Sequence, residues 1–169
     1  MIRFSMRGEY GLRMMVDLAR HYGKGPESLA EVAKNEGLSA TYLEQLVGKL
    51  RKAGLVASRH GAHGGYELTR EPQDIPVGEV MRVLEGPISP MICATEGETE
   101  AQCERQLFCS TNLVWERVAE SVAQALDSLT LADLIPARSD VTADSLHEAM
   151  YLQPITKPAT TGGRKTANV

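Results

Sequence analysis

Apolar residues recur at helical spacing along the first third of the chain. Between residues 10 and 22 they stand three and four positions apart, which predicts an amphipathic helix with Leu12, Met15, Val16 and Ala19 on its buried face. A second helix is predicted from about Leu29 to Asn35, because Ser28 and Glu31 have the capping-box spacing and Gly37 can end it. The pattern therefore opens with two helices of unequal length.

A third helix is predicted from Ala40 to about Lys52, with Ser39 as its N-cap. Its buried stripe comprises Leu43, Leu46, Val47 and Leu50. Two short helices joined by a turn with glycine are typical of a helix-turn-helix, although an ordinary helical hairpin fits the same pattern. Residues 54–58 and 66–69 read as strands around a glycine-rich turn, and a hairpin directly after a recognition helix is a wing. We therefore expect a winged helix-turn-helix domain over residues 1–84.

The sequence after residue 76 predicts one more helix of the winged domain and then three further regions. A short helix over residues 77–84 is followed by a loop rich in Pro, Gly, Thr and Glu, the cysteine segment (residues 85–110). Residues 111–135 predict a long helix from Thr111 to Ser128 and a last helical turn, with a seam of Trp115, Val118, Val122, Ala125 and Leu129. This helix either pairs with its copy in a second chain or packs on the winged domain. Residues 136–169 predict a flexible C-terminal tail. The expected fold is mainly α with a small β-hairpin wing and a long dimerisation helix.

Composition and charge narrow the class of protein. The 169 residues are 43% apolar and 24% charged, which is typical of a globular chain. No apolar run is long enough to span a membrane and the N-terminus has no signal-peptide pattern, so a cytoplasmic protein without membrane association is expected. Residues 1–70 carry a net charge of +4, whereas residues 71–140 carry −9. This asymmetry favours contact between the first half and a polyanion.

Three cysteines, Cys93, Cys103 and Cys109, lie within or at the end of the acidic loop. Their spacing is not the CxxC pair of zinc ribbons or thioredoxin-like sites. Soft thiolates select zinc, copper(I) or iron-sulfur clusters, and a cluster held by three cysteines needs a fourth donor. Structural zinc, a thiol switch and simple small hydrophobes remain open. A cysteine-dependent enzyme is disfavoured because no Cys-His-acid arrangement is suggested, and no phosphate-binding glycine motif is present.

Residues 1 to about 135 resemble the bacterial winged-helix regulators that include the iron-sulfur cluster regulator IscR and the nitric-oxide-sensing repressor NsrR. The matching stretches are Gly8–Arg13, Leu38–Leu46, Arg51–Val56, Gly64–Tyr66, the three cysteines, Trp115 and Thr130–Leu134. The resemblance implies a homodimer whose long helices cross at the interface. It also implies a cluster that controls DNA affinity.

Carried over residue by residue, the resemblance places Cys93, Cys103 and Cys109 on the cluster cysteines, with a longer interval between the first two. Where the cluster regulator has a histidine three residues after the last cysteine, this chain has Asn112, a poor iron ligand. Glu9 lies where some redox sensors of the family use a carboxylate from the partner subunit, so it is the expected fourth ligand. The expected group is an iron-sulfur cluster, 2Fe-2S in preference to 4Fe-4S.

The resemblance also identifies residues expected to face double-stranded DNA. They are Ser39, Thr41, Tyr42, Glu44 and Gln45 in the third helix, with Lys49 on the same helix as a phosphate contact. Gln45 can read an adenine edge and Glu44 can accept from cytosine. In the wing, Arg59 and His60 are expected to contact phosphate, although Arg59 is displaced by one position from the common Arg-Gly pattern.

The predicted function is a dimeric transcription regulator, a repressor, that binds a pseudo-palindromic operator. Its affinity would be controlled by a cluster that senses redox conditions, nitric oxide or cluster status. A cluster-free regulator of the same family, controlled by its thiols or by a partner protein, is the alternative. A cysteine-dependent enzyme is a more distant alternative.

Overall fold

The computed structural model describes residues 4–61, 64–97, 103–104 and 108–135. The helices are α1 Met6–Arg20, α2 Leu29–Glu36, α3 Ala40–Lys52, α4 Val77–Glu85 and α5 Asn112–Asp127, and the strands are β1 Val56–Arg59 and β2 Gly65–Leu68. Short 3-10 turns span Pro72–Asp74 and Ala132–Leu134. The predicted tail lies outside the described residues. Within the described part of the chain, no helix has the length and apolar character needed to cross a membrane.

The helix-turn-helix of α2 and α3 begins and ends where its capping residues predict. The Ser28 hydroxyl accepts from the Glu31 amide at 3.2 Å, and the Glu31 carboxylate accepts from the Ser28 amide at 3.3 Å, which completes the capping box. Gly37 ends α2 with a φ of 65°, a left-handed conformation that glycine adopts without strain. Ser39 is the N-cap residue of α3, but its side chain makes no capping hydrogen bond.

Helix α1 begins four residues earlier than Tyr10, where the apolar pattern placed its start. Its N-cap is Ser5, whose hydroxyl accepts from the Arg7 amide at 3.2 Å. Glu85 of α4 adds a distant contact, because its carboxylate accepts from the Ser5 hydroxyl at 2.5 Å and from the Gly8 amide at 2.7 Å. Gly8 and Gly11 have no side chain to hold Met81, Leu84 and Glu85 away, so α4 packs directly on α1. The first turn of α1 is thus held by a local cap and by a tertiary contact.

The two strands form an antiparallel hairpin, the wing, in the register Val56 to Leu68 and Arg59 to Gly65. The hairpin is fastened to the start of α2 by two backbone hydrogen bonds between Glu27 and Tyr66, at 2.9 and 2.8 Å. A Cβ atom at Gly65 would overlap the backbone of Glu27. Glycine is therefore required here for the close approach of two chain segments.

One apolar core joins α1, α2, α3, α4 and the hairpin. The predicted stripe of α3 is fully inside, with Leu43 and Leu50 at 0% exposure and Leu46 and Val47 below 5%. The predicted apolar positions of α4 are also buried, namely Val77, Val80, Met81 and Leu84. In α1, Met15, Val16 and Ala19 are buried as predicted and Leu12 is half-buried. These burial patterns confirm the winged domain.

Helix α5 is present, but its apolar seam is not buried in the chain. Along α5, all of which the structure describes, Ala119 alone is buried. Of the predicted seam, Trp115, Val118 and Val122 are half-buried, whereas Ala125 and Leu129 are exposed. The intramolecular packing of α5 thus covers one narrow face and leaves the rest of its apolar surface open.

Candidate DNA-binding surface and cysteine segment

The polar side chains of α3 point away from the core that its apolar stripe enters. Ser39, Thr41, Glu44, Gln45 and Lys49 are exposed, and we call these residues the reading face. Since the opposite side of α3 is held by fully buried leucines, the reading face is presented on a rigid support. A protruding polar helix of this kind has the dimensions to enter a major groove, where amide and carboxylate side chains can distinguish base edges.

Tyr42 is half-buried and differs from its neighbours. Its ring packs edge-on against Tyr10 of α1, with ring centroids 5.9 Å apart and planes at 89°. The Arg13 guanidinium carbon lies 6.0 Å from the centre of the Tyr10 ring. Tyr42 therefore helps to fix α3 against α1, besides its predicted contact with DNA.

A groove of about 520 Å³ separates the start of α1 from the reading face. Its walls are Ser5, Met6 and Arg7 on one side and Tyr42, Gln45, Leu46 and Lys49 on the other. Arg7 and Lys49 bring positive charge to this groove, which suits a phosphate backbone. Sequence reasoning missed Ser5 and Arg7 because it placed the start of α1 beyond them.

The wing carries Arg59 and His60, and both are exposed as expected. The Arg59 Nε atom donates to the Glu67 carboxylate at 2.6 Å, so part of its charge is already balanced across the hairpin. The tip residues 62 and 63 lie outside the described residues. Phosphate contact by this arginine would have to compete with Glu67.

The cysteine segment lies between α4 and α5. Cys93 borders a cleft of about 350 Å³ together with Glu96 of the segment and with Glu116, Ala119 and Ala123 of α5. The Cys109 Sγ atom lies 3.2 Å from the Thr111 hydroxyl, at the N-cap of α5. Cys103 is half-buried. The segment therefore contacts α5 at two places.

The predicted ligands of an iron-sulfur cluster do not form one group. Among the described residues, no set of three ligand atoms that includes a cysteine sulfur lies within 4.8 Å. Glu9 is exposed in the first turn of α1, and Asn112 donates to Glu116 at 2.6 Å within α5. Three thiolates suit a cluster chemically, but this arrangement does not fit one.

Arg82 of α4 connects the winged domain to both the cysteine segment and α5. Its guanidinium donates to Glu96 at 2.5 and 2.8 Å and to Asp127 at 2.7 and 2.8 Å. These hydrogen bonds hold the pKa of Glu96 and of Asp127 below their ordinary values, and they raise the pKa of Arg82. Gly78 leaves room for this contact, since a Cβ there would overlap the Asp127 carboxylate. We call the three charged residues the Arg82 clamp.

A helix-turn-helix with an exposed polar third helix and an adjoining hairpin defines a winged-helix DNA-binding protein. The family described as "Rrf2: Iron-dependent Transcriptional regulator" matches residues 4–137, and the chain belongs to this family. It is a transcriptional regulator and not an enzyme.

Solved and curated relatives agree with this assignment. The HTH-type transcriptional regulator CymR of Bacillus subtilis is 47% identical over 133 residues, which are 79% of this chain and 89% of the relative. Its structure, described as that of the global cysteine regulator, has a TM-score of 0.64 and covers 80% of this chain and 97% of that one. The structure of T. potens IscR is 43% identical, with a TM-score of 0.64 over 90% of this chain and 94% of that one. An oxidized form of Staphylococcus aureus CymR is 35% identical, with a TM-score of 0.64, and covers 83% of this chain and all of that one.

Proposed function

We propose that this regulator is a homodimeric repressor that binds a pseudo-palindromic operator and changes its affinity in response to the cysteine segment. The observation that carries the proposal is the reading face, a row of exposed polar side chains on a helix whose other side is fully buried. Base-edge contacts come from such a row, and phosphate contacts come from Lys49 and the wing residues Arg59 and His60.

Dimerisation is supported by the apolar surface that α5 leaves open. Val114 beside the seam is 55% exposed, and the predicted seam residue Leu129, which lies just beyond the end of α5, is 43% exposed. Contiguous apolar surface on a helix marks an interaction site. A second copy of α5 offers the same seam, so an isologous contact buries both. The two-fold axis of that contact then sets two reading faces on symmetric half-sites, which demands a pseudo-palindromic operator.

The route from the cysteine segment to DNA runs through the Arg82 clamp. Glu96 lies three residues after Cys93, and Arg82 belongs to the helix that packs on α1. A change at Cys93 that moves Glu96 therefore pulls on α4 directly. Asp127 on the same guanidinium makes α5 respond with it. A two-state protein can be biased through such a shared contact.

The proposed occupant of the cysteine segment is an iron-sulfur cluster, 2Fe-2S in preference to 4Fe-4S, held by Cys93, Cys103 and Cys109. Glu9 of the partner subunit is its proposed fourth ligand. The three thiolates, the iron-dependent family description and the likeness to an IscR structure support this assignment. The absence of any described group of three ligand atoms within 4.8 Å that includes a cysteine sulfur counts against it.

A cluster-free thiol switch is the second candidate. It is favoured by three half-buried cysteines that belong to no described group of three metal-ligand atoms within 4.8 Å. The likeness to an oxidized CymR structure also supports it. In this case oxidation at Cys93, beside Glu96, acts on the Arg82 clamp without a metal.

Anaerobic purification of the full chain separates the two candidates. Brown protein with iron and acid-labile sulfide in stoichiometric amounts supports the cluster, whereas colourless protein whose operator affinity changes on thiol oxidation supports the switch. Cys103→Ala should abolish cluster retention while the chain still folds and dimerises, because the core does not involve this loop. Ser110→Ala, at an exposed neighbouring position, is the matched control. Unfolding of Cys103→Ala would contradict both candidates and indicate a structural metal.

A further inference from the structure

Three side chains converge at the carboxyl end of α1, away from the cysteine segment. Asp17 and His21 stand one turn apart on α1, and Glu27 lies in the loop before α2. One ligand atom from each lies within 4.8 Å of the others. Asp17 is 2% exposed and Glu27 is 7% exposed, so both carboxylates are taken out of water. Burial of two carboxylates costs free energy unless positive charge compensates them.

One carboxylate oxygen of this group accepts no hydrogen bond among the described residues. Glu27 Oε2 is buried and accepts no hydrogen bond of acceptable geometry. It faces the Nδ1 atom of His21 at 2.9 Å, and the same Nδ1 lies 3.0 Å from the main-chain oxygen of Asp17. One ring nitrogen carries at most one proton and cannot donate fully to two acceptors. Burial and the charge of Asp17 raise the pKa of Glu27, as expected for a carboxylate short of positive charge.

The neighbouring Arg20 supplies only part of the positive charge that the two buried carboxylates need. The Arg20 guanidinium lies 3.5 Å from Asp17 but 2.9 Å from Glu36, so it is shared with a third carboxylate. Asn35 donates its amide hydrogens to Asp17 and to Glu27, each at 3.1 Å, and fixes one oxygen of each carboxylate. The remaining oxygen of Glu27 points at His21, whose side chain is 39% exposed and opens the group to solvent. Glu31, the other acidic neighbour, is engaged in the capping box of α2.

We infer that Asp17, His21 and Glu27 bind a divalent first-row metal cation of the Mn²⁺ or Fe²⁺ kind. Two carboxylate oxygens and one imidazole nitrogen are ligands that these ions accept. Adjacent ligands at about 2.1 Å from an octahedral ion stand about 3 Å apart. The observed separation of His21 Nδ1 and Glu27 Oε2, 2.9 Å, matches this spacing.

The site has a structural consequence at the wing. Glu27 is joined by its backbone to Tyr66 of β2, and Asp17 and His21 belong to α1. A bound cation therefore connects the first helix to the base of the wing through one residue. The inference does not depend on the proposed operator or on the cysteine segment, because it concerns binding of the ion alone.

Titration of the full chain with Mn²⁺, followed by electron paramagnetic resonance, tests the site. We expect one Mn²⁺ per chain, with a pulsed spectrum that shows coupling to an imidazole nitrogen. His21→Ala and Glu27→Gln should each weaken binding at least about tenfold. His60→Ala and Glu44→Gln, matched substitutions at exposed positions, should leave it unchanged. A variant with all three cysteines replaced by alanine should still bind, because Mn²⁺ prefers oxygen and nitrogen to thiolate.

Several outcomes overturn the inference. Absence of saturable binding at millimolar Mn²⁺ does so, and so does unchanged affinity in His21→Ala. Loss of binding in the cysteine-free variant would assign the ion to the cysteine segment instead. If Glu27→Gln fails to fold by circular dichroism, His21→Ala decides, since its side chain is partly exposed and lies outside the apolar core.

Discussion

Helices α3 and α5 are both amphipathic, yet their apolar stripes are buried to very different extents. All four apolar stripe residues of α3 are less than 5% exposed, whereas the described α5 has one buried residue, Ala119. The apolar stripe of α3 packs against α1, α2 and α4 of the same chain. The predicted stripe of α5 is covered only in part, with Trp115, Val118 and Val122 half-buried. Burial of the α3 stripe is therefore complete within one chain, whereas most of the apolar surface of α5 is left uncovered by the described residues.

Cavity formation in each stripe gives the largest expected effect. Leu50→Ala removes a side chain of 0% exposure and should lower the free energy of unfolding by about 2 to 5 kcal/mol at every protein concentration. Leu129→Ala, on the open seam, should cost less than about 0.5 kcal/mol in the dilute chain and act only through association. Urea unfolding at two protein concentrations measures both. Equal losses in the two variants would remove the distinction between the helices.

Substitution of one exposed glutamine on each helix tests whether α3, and not α5, contacts DNA bases. Gln45→Ala on α3 removes a predicted base-edge contact and should cost about 1 to 3 kcal/mol, with relaxed preference at one symmetric base pair. Gln124→Ala on α5 should leave operator binding unchanged. Binding titrations on the preferred site and on single-base variants provide the measurement. A folded Gln45→Ala protein with unaltered affinity and preference would show that α3 does not read DNA.

The Arg82 clamp joins the two regions, and its contribution should depend on pH. Arg82→Gln should lower stability by about 1 kcal/mol at pH 7, because the partners are partly exposed. The pKa values of Glu96 and Asp127 are lowered in the folded chain, so the wild-type advantage is present above the ordinary carboxyl values of 4.5 and 3.8. It disappears as the pH falls through the lowered values.

Chemical unfolding at pH 7 and at pH 3 compares the wild type with Arg82→Gln. Arg117→Gln, which breaks an exposed pair with Glu120 within α5, is the control and should have a smaller effect at both values. A difference between wild type and Arg82→Gln that persists unchanged in acid would contradict the ionic origin of the clamp.

The smallest effect is expected for a phosphate contact beside the reading face. Lys49→Ala should weaken binding to all DNA sequences alike and reduce the dependence of log K on log salt by about one unit. Arg117→Ala on α5 should leave the slope unchanged. Titrations at several salt concentrations measure both slopes, and an altered base preference in Lys49→Ala would reassign this lysine to base readout.

The sequence predicts elements whose signals are local. Helix α3 has its expected bounds because the stripe from Leu43 to Leu50 and the flanking Ser39 and Gly54 act within a few residues. The start of α1 was missed because the apolar period begins only near Tyr10, although Ser5 caps the helix locally and Glu85 binds its first turn. The apolar period of α5 predicts the helix, but it does not predict which part of the seam the same chain covers. Asp17 and His21 did offer an i, i+4 signal, but their partner Glu27 reaches them only through the folded turn.

The capping of α1 by Glu85 has a consequence for biosynthesis. Gly8 and Glu85 are 77 positions apart, so the Gly8 amide can form its hydrogen bond only after Glu85 has been added to the chain. A chain emerging from the ribosome folds its N-terminal parts first, at several residues per second. Ser5 caps the Arg7 amide locally, but the Gly8 amide remains without its carboxylate acceptor until α4 has been synthesised. The groove wall formed by Ser5, Met6 and Arg7 thus receives its last hydrogen bonds late, although it is translated first, and a chain truncated before residue 85 would lack them.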